Sequence, residues 1–305
     1  MLEFWQAALS QPLAQNAVLA ALLVSVACGV VGSYVVVRRI TYIAAGVAHC
    51  VLGGMGAARY LQTVYGWTAF HPIYGAMIAA LGAAAIIGWV SLYSKEREDS
   101  AISAMWSMGM AAGVLFIYIT PGYTGDLMGY LFGNILLVTR HHLYFLLGLD
   151  VIILLLAVRW YDEFQAVCFD EEFARTRNIN AGFFYILLLG LTALTVVALS
   201  MIVGIVLVIA LLTLPAALSG RFAGSLMQMM AWASGLCALF CFAGLTLSYK
   251  PDLPAGPTII LIAGAAYFSA AVFSLIRHKL QHQGAKKKSA RPNREFLDDR
   301  AARYW

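Results

Sequence analysis

The sequence predicts an all-α, polytopic membrane helix bundle. Hydrophobic residues make up 62% of the 305 residues, charged residues only 11%, and the mean hydropathy is +0.80. Several apolar runs approach or exceed the roughly 20 residues that a helix needs to cross a bilayer. The runs are too numerous for a surface anchor, and a soluble domain of this length would carry more charge. We therefore predict a transmembrane domain over residues 1–280.

Nine apolar stretches are candidate spans, and they predict eight or nine crossings. Residues 183–217 form either two short spans or one span followed by a hairpin of short helices. Residues 127–138 are too short to cross and are expected to be re-entrant or interfacial. Because residues 1–16 lack a basic region followed by a cleavage site, we expect no removable signal peptide. The stretches are residues 14–37, 42–65, 70–93, 101–119, 143–160, 183–200, 201–217, 226–247 and 258–276.

The distribution of Lys and Arg predicts an external N-terminus and a cytoplasmic C-terminus. With this orientation, 17 of the 20 basic residues fall on the inner side, as expected for cytoplasmic loops. Residues 161–181 would then form a cytoplasmic segment. The basic tail over residues 281–305 is expected to be disordered and to lie near anionic lipid headgroups. It has no folded basic face with interleaved aromatic residues, so we predict no nucleic-acid partner.

The ionisable side chain of His49 lies deep inside the second predicted span. Because ionisable groups are costly in hydrocarbon, one that remains there usually faces other protein or a water-filled path. Imidazole is also a common ligand of transition metals. We interpret His49 as a metal ligand on a transport pathway, and the alternative is a hydrogen bond to a neighbouring carbonyl. Gly46, Cys50 and Gly54 give the same helix a small-residue face suited to close packing.

Asp150 is the second ionisable residue within a predicted span. A carboxylate at that depth must be paired, protonated or facing water. Two roles remain open: a pathway ligand or gate, and a partner of Arg59 or of a backbone group. Three more histidines, His71, His141 and His142, lie near the predicted outer mouth. They would either guide a cation to the entrance or simply occupy exposed helix ends.

The predicted cytoplasmic segment contains a short amphipathic helix. Asp170 can cap its start, acidic residues suit its first turn, and basic residues suit its last turn. Phe169 and Phe173 form a small apolar face at a spacing of four. Because an isolated short helix is marginal in water, we expect it to dock on a partner; the alternative is a simple connector. The residues concerned are Asp170, Glu171, Glu172, Phe173, Arg175 and Arg177.

The five cysteines predict neither a disulfide framework nor a structural zinc site. They lie in or near apolar helices, and no CxxC motif or Cys/His cluster occurs. We interpret them as small residues in helix packing.

Four segments, in one order over one hydropathy profile, carry a family resemblance. They are residues 32–39 with the following His49, residues 130–136, residues 170–175, and residues 203–217 with the loop 252–257. Together they resemble the permease subunits of bacterial ABC importers for zinc and manganese, with Asn134 where the family usually has Asp. The resemblance covers nearly all of residues 14–276.

The resemblance implies a homodimer around a central pathway in the bacterial inner membrane. It also implies two cytoplasmic ATPase subunits that bind ATP, and a periplasmic or lipid-anchored metal-binding protein. The helix that begins at Asp170 would fit a groove on the ATPase. The chain itself would be a transport subunit and not an enzyme, and its sequence contains no GxxxxGK[ST] phosphate-binding motif.

One departure from the family concerns the choice of metal. The family commonly has an Asp one turn before the histidine of its second span, and this position is Ala45 here. Loss of a carboxylate weakens the case for manganese, which prefers oxygen ligands, whereas zinc accepts nitrogen-rich sites. We therefore predict zinc, with Asp150 as a displaced carboxylate. The alternatives are a manganese or iron importer of the same family and an ATP-independent, ion-coupled metal carrier.

Overall fold

The computed structural model confirms the all-α architecture. It describes residues 5, 10–94, 98–121, 127–133, 135–251 and 253–289, and no β-strand occurs within them. The helices are α1 (Pro12–Val37), α2 (Thr41–Tyr65), α3 (Pro72–Tyr93), α4 (Glu98–Ile119), α5 (Leu127–Phe132), α6 (Arg140–Arg159), α7 (Tyr161–Phe169), α8 (Glu171–Thr176), α9 (Ala181–Val203), α10 (Ile205–Ser219), α11 (Leu226–Tyr249) and α12 (Ala255–Ser289), with a 3₁₀ turn at Ile135–Leu137.

Eight of the described helices are long and apolar enough to cross a membrane. They are α1, α2, α3, α4, α6, α9, α11 and the Ala255–Ile276 part of α12. The helix α12 continues to Ser289, into the segment for which the sequence predicts disorder. Lys, Gln and Ala, which are frequent there, are good helix formers. Residues 290–305 of the predicted tail lie outside the described residues.

The ambiguous region 183–217 resolves into one full span and one shorter returning helix. Tyr185, near the start of α9, lies with its ring 5.3 Å from the guanidinium of Arg38 at the end of α1. Ala216, near the end of α10, packs against Val36 and Val37. Both ends therefore lie beside the end of α1, so α9 and α10 run in opposite directions. With 15 residues, α10 is roughly 22 Å long, shorter than the hydrocarbon core of about 30 Å.

The turn between α9 and α10 depends on two glycines in the left-handed region. Gly204 has φ 83° and Gly133, which follows α5, has φ 58°. A Cβ on Gly133 would lie 2.3 Å from the carbonyl carbon of Val203, and one on Gly204 would lie 2.3 Å from the nitrogen of Gly133. The short segment predicted over residues 127–138 thus packs on the start of α10, and its two helical pieces are only six and three residues long.

Helix α2 is the most enclosed of the spans that carry candidate residues. It packs between α3 and α4, and 78% of its most apolar stretch is buried. The predicted small-residue face is shared between two neighbours, because Gly46 and Cys50 face α4 whereas Gly54 faces Gly75 of α3. Helix α4, in contrast, is only 11% buried over the same length, so most of its surface faces away from the protomer.

Candidate functional site

His49 lies on the buried side of α2, directly against α4. The residue is 7% exposed, and its imidazole stacks on the indole of Trp106 with 4.7 Å between ring centroids and 16° between ring planes. The Sγ of Cys50, the next residue, donates a hydrogen bond to the carbonyl oxygen of Met105 at 3.3 Å. The backbones of α2 and α4 are close enough here to fix the two rings against each other.

The Nδ1 atom of His49 is fully buried and has no hydrogen-bond partner. An unpaired polar atom away from water costs free energy, and a buried N–H without an acceptor is costly. A neutral imidazole has one N–H and one free lone pair. An unpaired lone pair in a protein interior is the arrangement that a metal cation would satisfy. The predicted alternative, a hydrogen bond from His49 to a neighbouring carbonyl, does not occur at Nδ1.

Asp150 lies elsewhere in the protomer. It is 3% exposed, and neither carboxylate oxygen has a hydrogen-bond partner. It belongs to the buried side of α6, which packs on α1 and α9. The structure therefore places His49 against α4 and Asp150 towards α1, as two separate unpaired groups.

The described residues contain no group of three or more His, Cys, Asp or Glu side chains that could hold a metal ion. Ala45, at the position where the family has Asp, is buried on α2. Among the described residues of one protomer, His49 therefore does not belong to any such group. A complete coordination shell would need donors from outside the protomer, from water or from a different conformation.

Two of the three histidines at the predicted outer mouth have local structural roles. The Nδ1 atom of His71 accepts a hydrogen bond from the backbone N–H of Ile73 at 3.4 Å and so caps α3. The Nδ1 atom of His142 accepts from the backbone N–H of Thr139 at 3.4 Å, within a capping box at the start of α6. His141 is exposed beside it. Capping accounts for His71 and His142 without a bound cation.

The predicted amphipathic helix is present as α8, and its cap is the one expected. The Oδ1 atom of Asp170 accepts a hydrogen bond from the backbone N–H of Phe173 at 3.0 Å. Asp170 itself is extended, with φ −152° and ψ 103°. This break places Phe169 at the end of α7 instead of inside the same helix as Phe173.

Glu171 connects α8 to the membrane-spanning bundle. Its Oε2 accepts from Arg38 at 2.5 Å and its Oε1 accepts from Arg175 at 2.7 Å. Burial alone would raise the pKa of Glu171, but the hydrogen bonds from the two guanidinium groups hold this pKa below its usual range. The carboxylate is therefore charged at neutral pH, and its pairing is lost only as the pH falls through the lowered pKa. Arg38 also lies over the Tyr185 ring of α9.

The other side of α8 is open. Ala174 is on the inner side, fully buried in a small apolar cluster with Val167 and Ala181. On the open side, Phe173 is half exposed, and the guanidinium of Arg177 lies over its ring at 5.3 Å. A shallow cavity of about 470 Å³ lies between α7 and α8. Its lining residues are Asp162, Gln165, Ala166, Phe169, Asp170, Phe173, Arg177 and Ile179. Glu172 begins the helix beside Glu171 and makes none of these contacts.

Comparison with known proteins identifies the family. A model described as the ABC 3 transport family matches residues 10–274. The chain belongs to this family. The prediction of an ABC importer permease from four sequence segments is thereby confirmed at the level of the family.

Two relatives and one solved structure show how similar this permease is to known proteins. It is 41% identical to a "probable metal transport system membrane protein" of Chlamydia pneumoniae, over 82% of this chain and 85% of the relative. It is 32% identical to the "manganese transport system membrane protein MntC" of Halalkalibacterium halodurans, over 89% and 90%. A chain of PsaBC from Streptococcus pneumoniae, solved in complex with Fab, superposes with a TM-score of 0.77 at 29% identity, covering 88% of this chain and 94% of that one.

Sequence reasoning missed two residues that the structure places at the site of this ABC 3 family member. Trp106 of α4 contacts His49, and Arg38 of α1 contacts the helix that begins after Asp170. Arg38 entered the prediction only as part of residues 32–39 and of the basic residues on the inner side, not as a partner of Glu171. A signal for Trp106 was its aromatic ring beside small residues in an apolar run, but such residues are common in spans, and no sequence spacing pairs α2 with α4.

Proposed function

We propose that the chain is the membrane permease of an ATP-driven importer of a divalent transition metal. The observation that carries the proposal is the buried imidazole of His49, whose Nδ1 has no protein partner. Family membership supports a transport role. The names of the chlamydial protein and of MntC, which refer to metal and to manganese transport, support a metal as the cargo.

We propose that two cytoplasmic ATPase subunits bind the homodimer, and that the α7–α8 segment of each protomer docks on one of them. It presents the exposed rings of Phe169 and Phe173 beside a shallow cavity, and it is tied to the bundle through Glu171. ATP would be bound and hydrolysed on the partner. Movement of α8 would reach α1 through Arg38, which holds Glu171 and also contacts α9 through Tyr185.

We propose a homodimer whose pathway lies between protomers, in which α4 faces the second copy. The supporting observation is the small buried fraction of α4 and its exposed apolar side chains, among them Met108, Leu115 and Tyr118. The end of the bundle that carries Arg38, Arg159, Arg175, Arg177 and Arg221 would face the cytoplasm. An external metal-binding protein, periplasmic or lipid-anchored, would then deliver the metal at the opposite end.

Zinc and manganese are the two cargo candidates. Zinc is favoured by the chemistry of the site, since the donor at His49 is nitrogen and Ala45 supplies no carboxylate. Manganese is favoured by the similarity to MntC. Iron remains a third ion that the same donor set would accept.

The test is metal uptake by the reconstituted transporter. The permease, its ATPase and its binding protein would be placed in proteoliposomes, and uptake of zinc and of manganese would be measured with and without ATP. We expect ATP-dependent uptake of one of these metals. Uptake that proceeds equally without ATP or the ATPase would contradict the proposal and support the ion-coupled carrier.

Breaking the Arg38–Glu171 pair should uncouple ATP hydrolysis from uptake. In Glu171→Gln, the charge-assisted hydrogen bonds to Arg38 and Arg175 are lost. We expect the attachment of α8 to the end of α1 to weaken by about 1.5 kcal/mol. The measurement is the ratio of metal transported to ATP hydrolysed. Arg175→Gln is the control, because Arg175 is 67% exposed and an exposed helix pair contributes little. An unchanged ratio in Glu171→Gln would show that this contact does not transmit the movement.

A further inference from the structure

Trp106 touches both His49 and an open apolar space. One face of its indole stacks on the imidazole. The same side chain borders an open surface cavity of about 700 Å³ that is lined only by residues of α4, on the side that faces the second copy in the proposed homodimer. We propose that Trp106 positions the imidazole of His49 and shields it from this cavity. The inference rests on the proposed function, because it assigns Trp106 a role in how His49 meets the metal.

Tight backbone packing fixes the distance between the two rings. A Cβ on Gly53 of α2 would lie 2.8 Å from the carbonyl oxygen of Gly109 of α4, and a Cβ on Gly109 would lie 2.7 Å from the Cα of Cys50. The helices therefore cannot move apart or slide at this level without losing a continuous small-residue contact. The stacked rings can then separate only by rotation of a side chain, and the indole is the more exposed of the two.

The cavity provides the space for that rotation. Trp106 is 39% exposed whereas His49 is 7% exposed, so the indole covers the imidazole and is itself only partly covered. The remaining cavity lining is Ser107, Met110, Ala111, Val114, Leu115 and Tyr118, all on α4. Turning the indole into this space would open His49 to the cavity, so access from this side depends on the conformation of Trp106.

The near-parallel stack also suits metal binding. The lone pair of an imidazole nitrogen lies in the plane of the ring, and a metal therefore approaches along the ring edge. An indole at 16° to the imidazole covers one face of the ring and not its edge, so it holds the plane without occupying the coordination position. Groups that orient a ligating histidine typically contribute 10–100-fold to metal affinity or activity, and aromatic stacking is one way to hold a ring.

Two variants and a control test the inference in the reconstituted transporter. We expect Trp106→Leu to raise the half-saturating metal concentration by about tenfold or more, and Trp106→Phe, which keeps an aromatic face, to stay close to wild type. In parallel, the rate at which diethylpyrocarbonate modifies His49, followed by mass spectrometry, should increase in Trp106→Leu. Trp89→Leu on α3 is the control, because Trp89 is also exposed, at 62%.

The two readouts separate the outcomes. If Trp106→Leu matches wild type in both uptake and His49 modification, the inference is overturned. A fall in uptake without faster modification would overturn it too, because a packing defect would produce that result. Absence of metal uptake by the wild type would contradict the proposed function instead, and the modification rates would still report whether Trp106 shields His49.

Discussion

Replacing His49 with alanine should reduce ATP-dependent metal uptake at least about tenfold while leaving the permease folded. The imidazole is the donor with a buried, unpaired Nδ1 in the second span, and alanine offers no ligand in its place. Because Nδ1 makes no hydrogen bond, the substitution breaks none at this atom, and the contact it removes is the stack on Trp106. We expect a loss of at least about tenfold in the uptake rate, the lower end of the effect of disturbing a metal ligand's surroundings.

The control for this prediction is His71→Ala. His71 caps α3 at an exposed position, so its loss should cost about 1 kcal/mol of stability and leave uptake near wild type. Equal uptake by His49→Ala and wild type would remove the main support for a metal pathway at α2.

Asp150 provides a second comparison in the same assay. If Asp150 supplies a displaced carboxylate, both Asp150→Asn and Asp150→Ala should reduce uptake of zinc and of manganese. This carboxylate lies on the buried side of α6, which packs on α1 and α9, whereas the His49–Trp106 stack lies between α2 and α4. Normal transport by Asp150→Ala alongside failure of His49→Ala would end the displacement hypothesis.

Gly54→Ala should destabilise the bundle more than any single polar substitution considered above. A Cβ at this position would lie 2.1 Å from the carbonyl oxygen of Gly75, and one on Gly75 would lie 2.2 Å from that of Gly54. The obstacle is backbone on both sides, so α2 and α3 must separate. We expect a loss of about 3 kcal/mol, which for a chain of this size lowers the unfolding midpoint by roughly 5–10 °C.

Gly82→Ala is the matched control on α3. No atom lies within 4 Å of a Cβ at Gly82, and alanine is the better helix former. Its unfolding midpoint in detergent should therefore equal or exceed that of wild type. If both glycine variants melt together, close approach of α2 and α3 at Gly54 does not limit stability.

The fold was predictable wherever a local pattern determines the answer. Hydropathy indicated the long spans, and the caps and charges around Asp170 indicated a short helix that begins at Glu171. The burial of His49 followed from its apolar surroundings. These features depend on neighbours within a few residues along the chain, so composition and spacing are sufficient to find them.

What the sequence did not indicate depends on which helices meet. Hydropathy left two divisions of residues 183–217 open and did not locate the reversal at Gly204, since α9 and α10 are both apolar throughout. His49 and Asp150 were assigned to one site because both are ionisable residues inside predicted spans. In the structure their side chains face different helices. Trp106 becomes a neighbour of His49 only because glycines bring α2 and α4 together, and no periodicity in a single helix encodes that contact.

The short helix α10 has a consequence for biogenesis. At roughly 22 Å it is shorter than the hydrocarbon core, so we expect it to enter the bilayer together with α9 as a helical hairpin. When α10 leaves the ribosome, its neighbour α1 has already been synthesised. Its other neighbour α11, whose Met229 and Ala233 form an apolar cluster with Ala216, has not. One side of α10 therefore stays uncovered until α11 is made. We expect quality-control proteases to degrade chains truncated before residue 226 faster than chains that include α11.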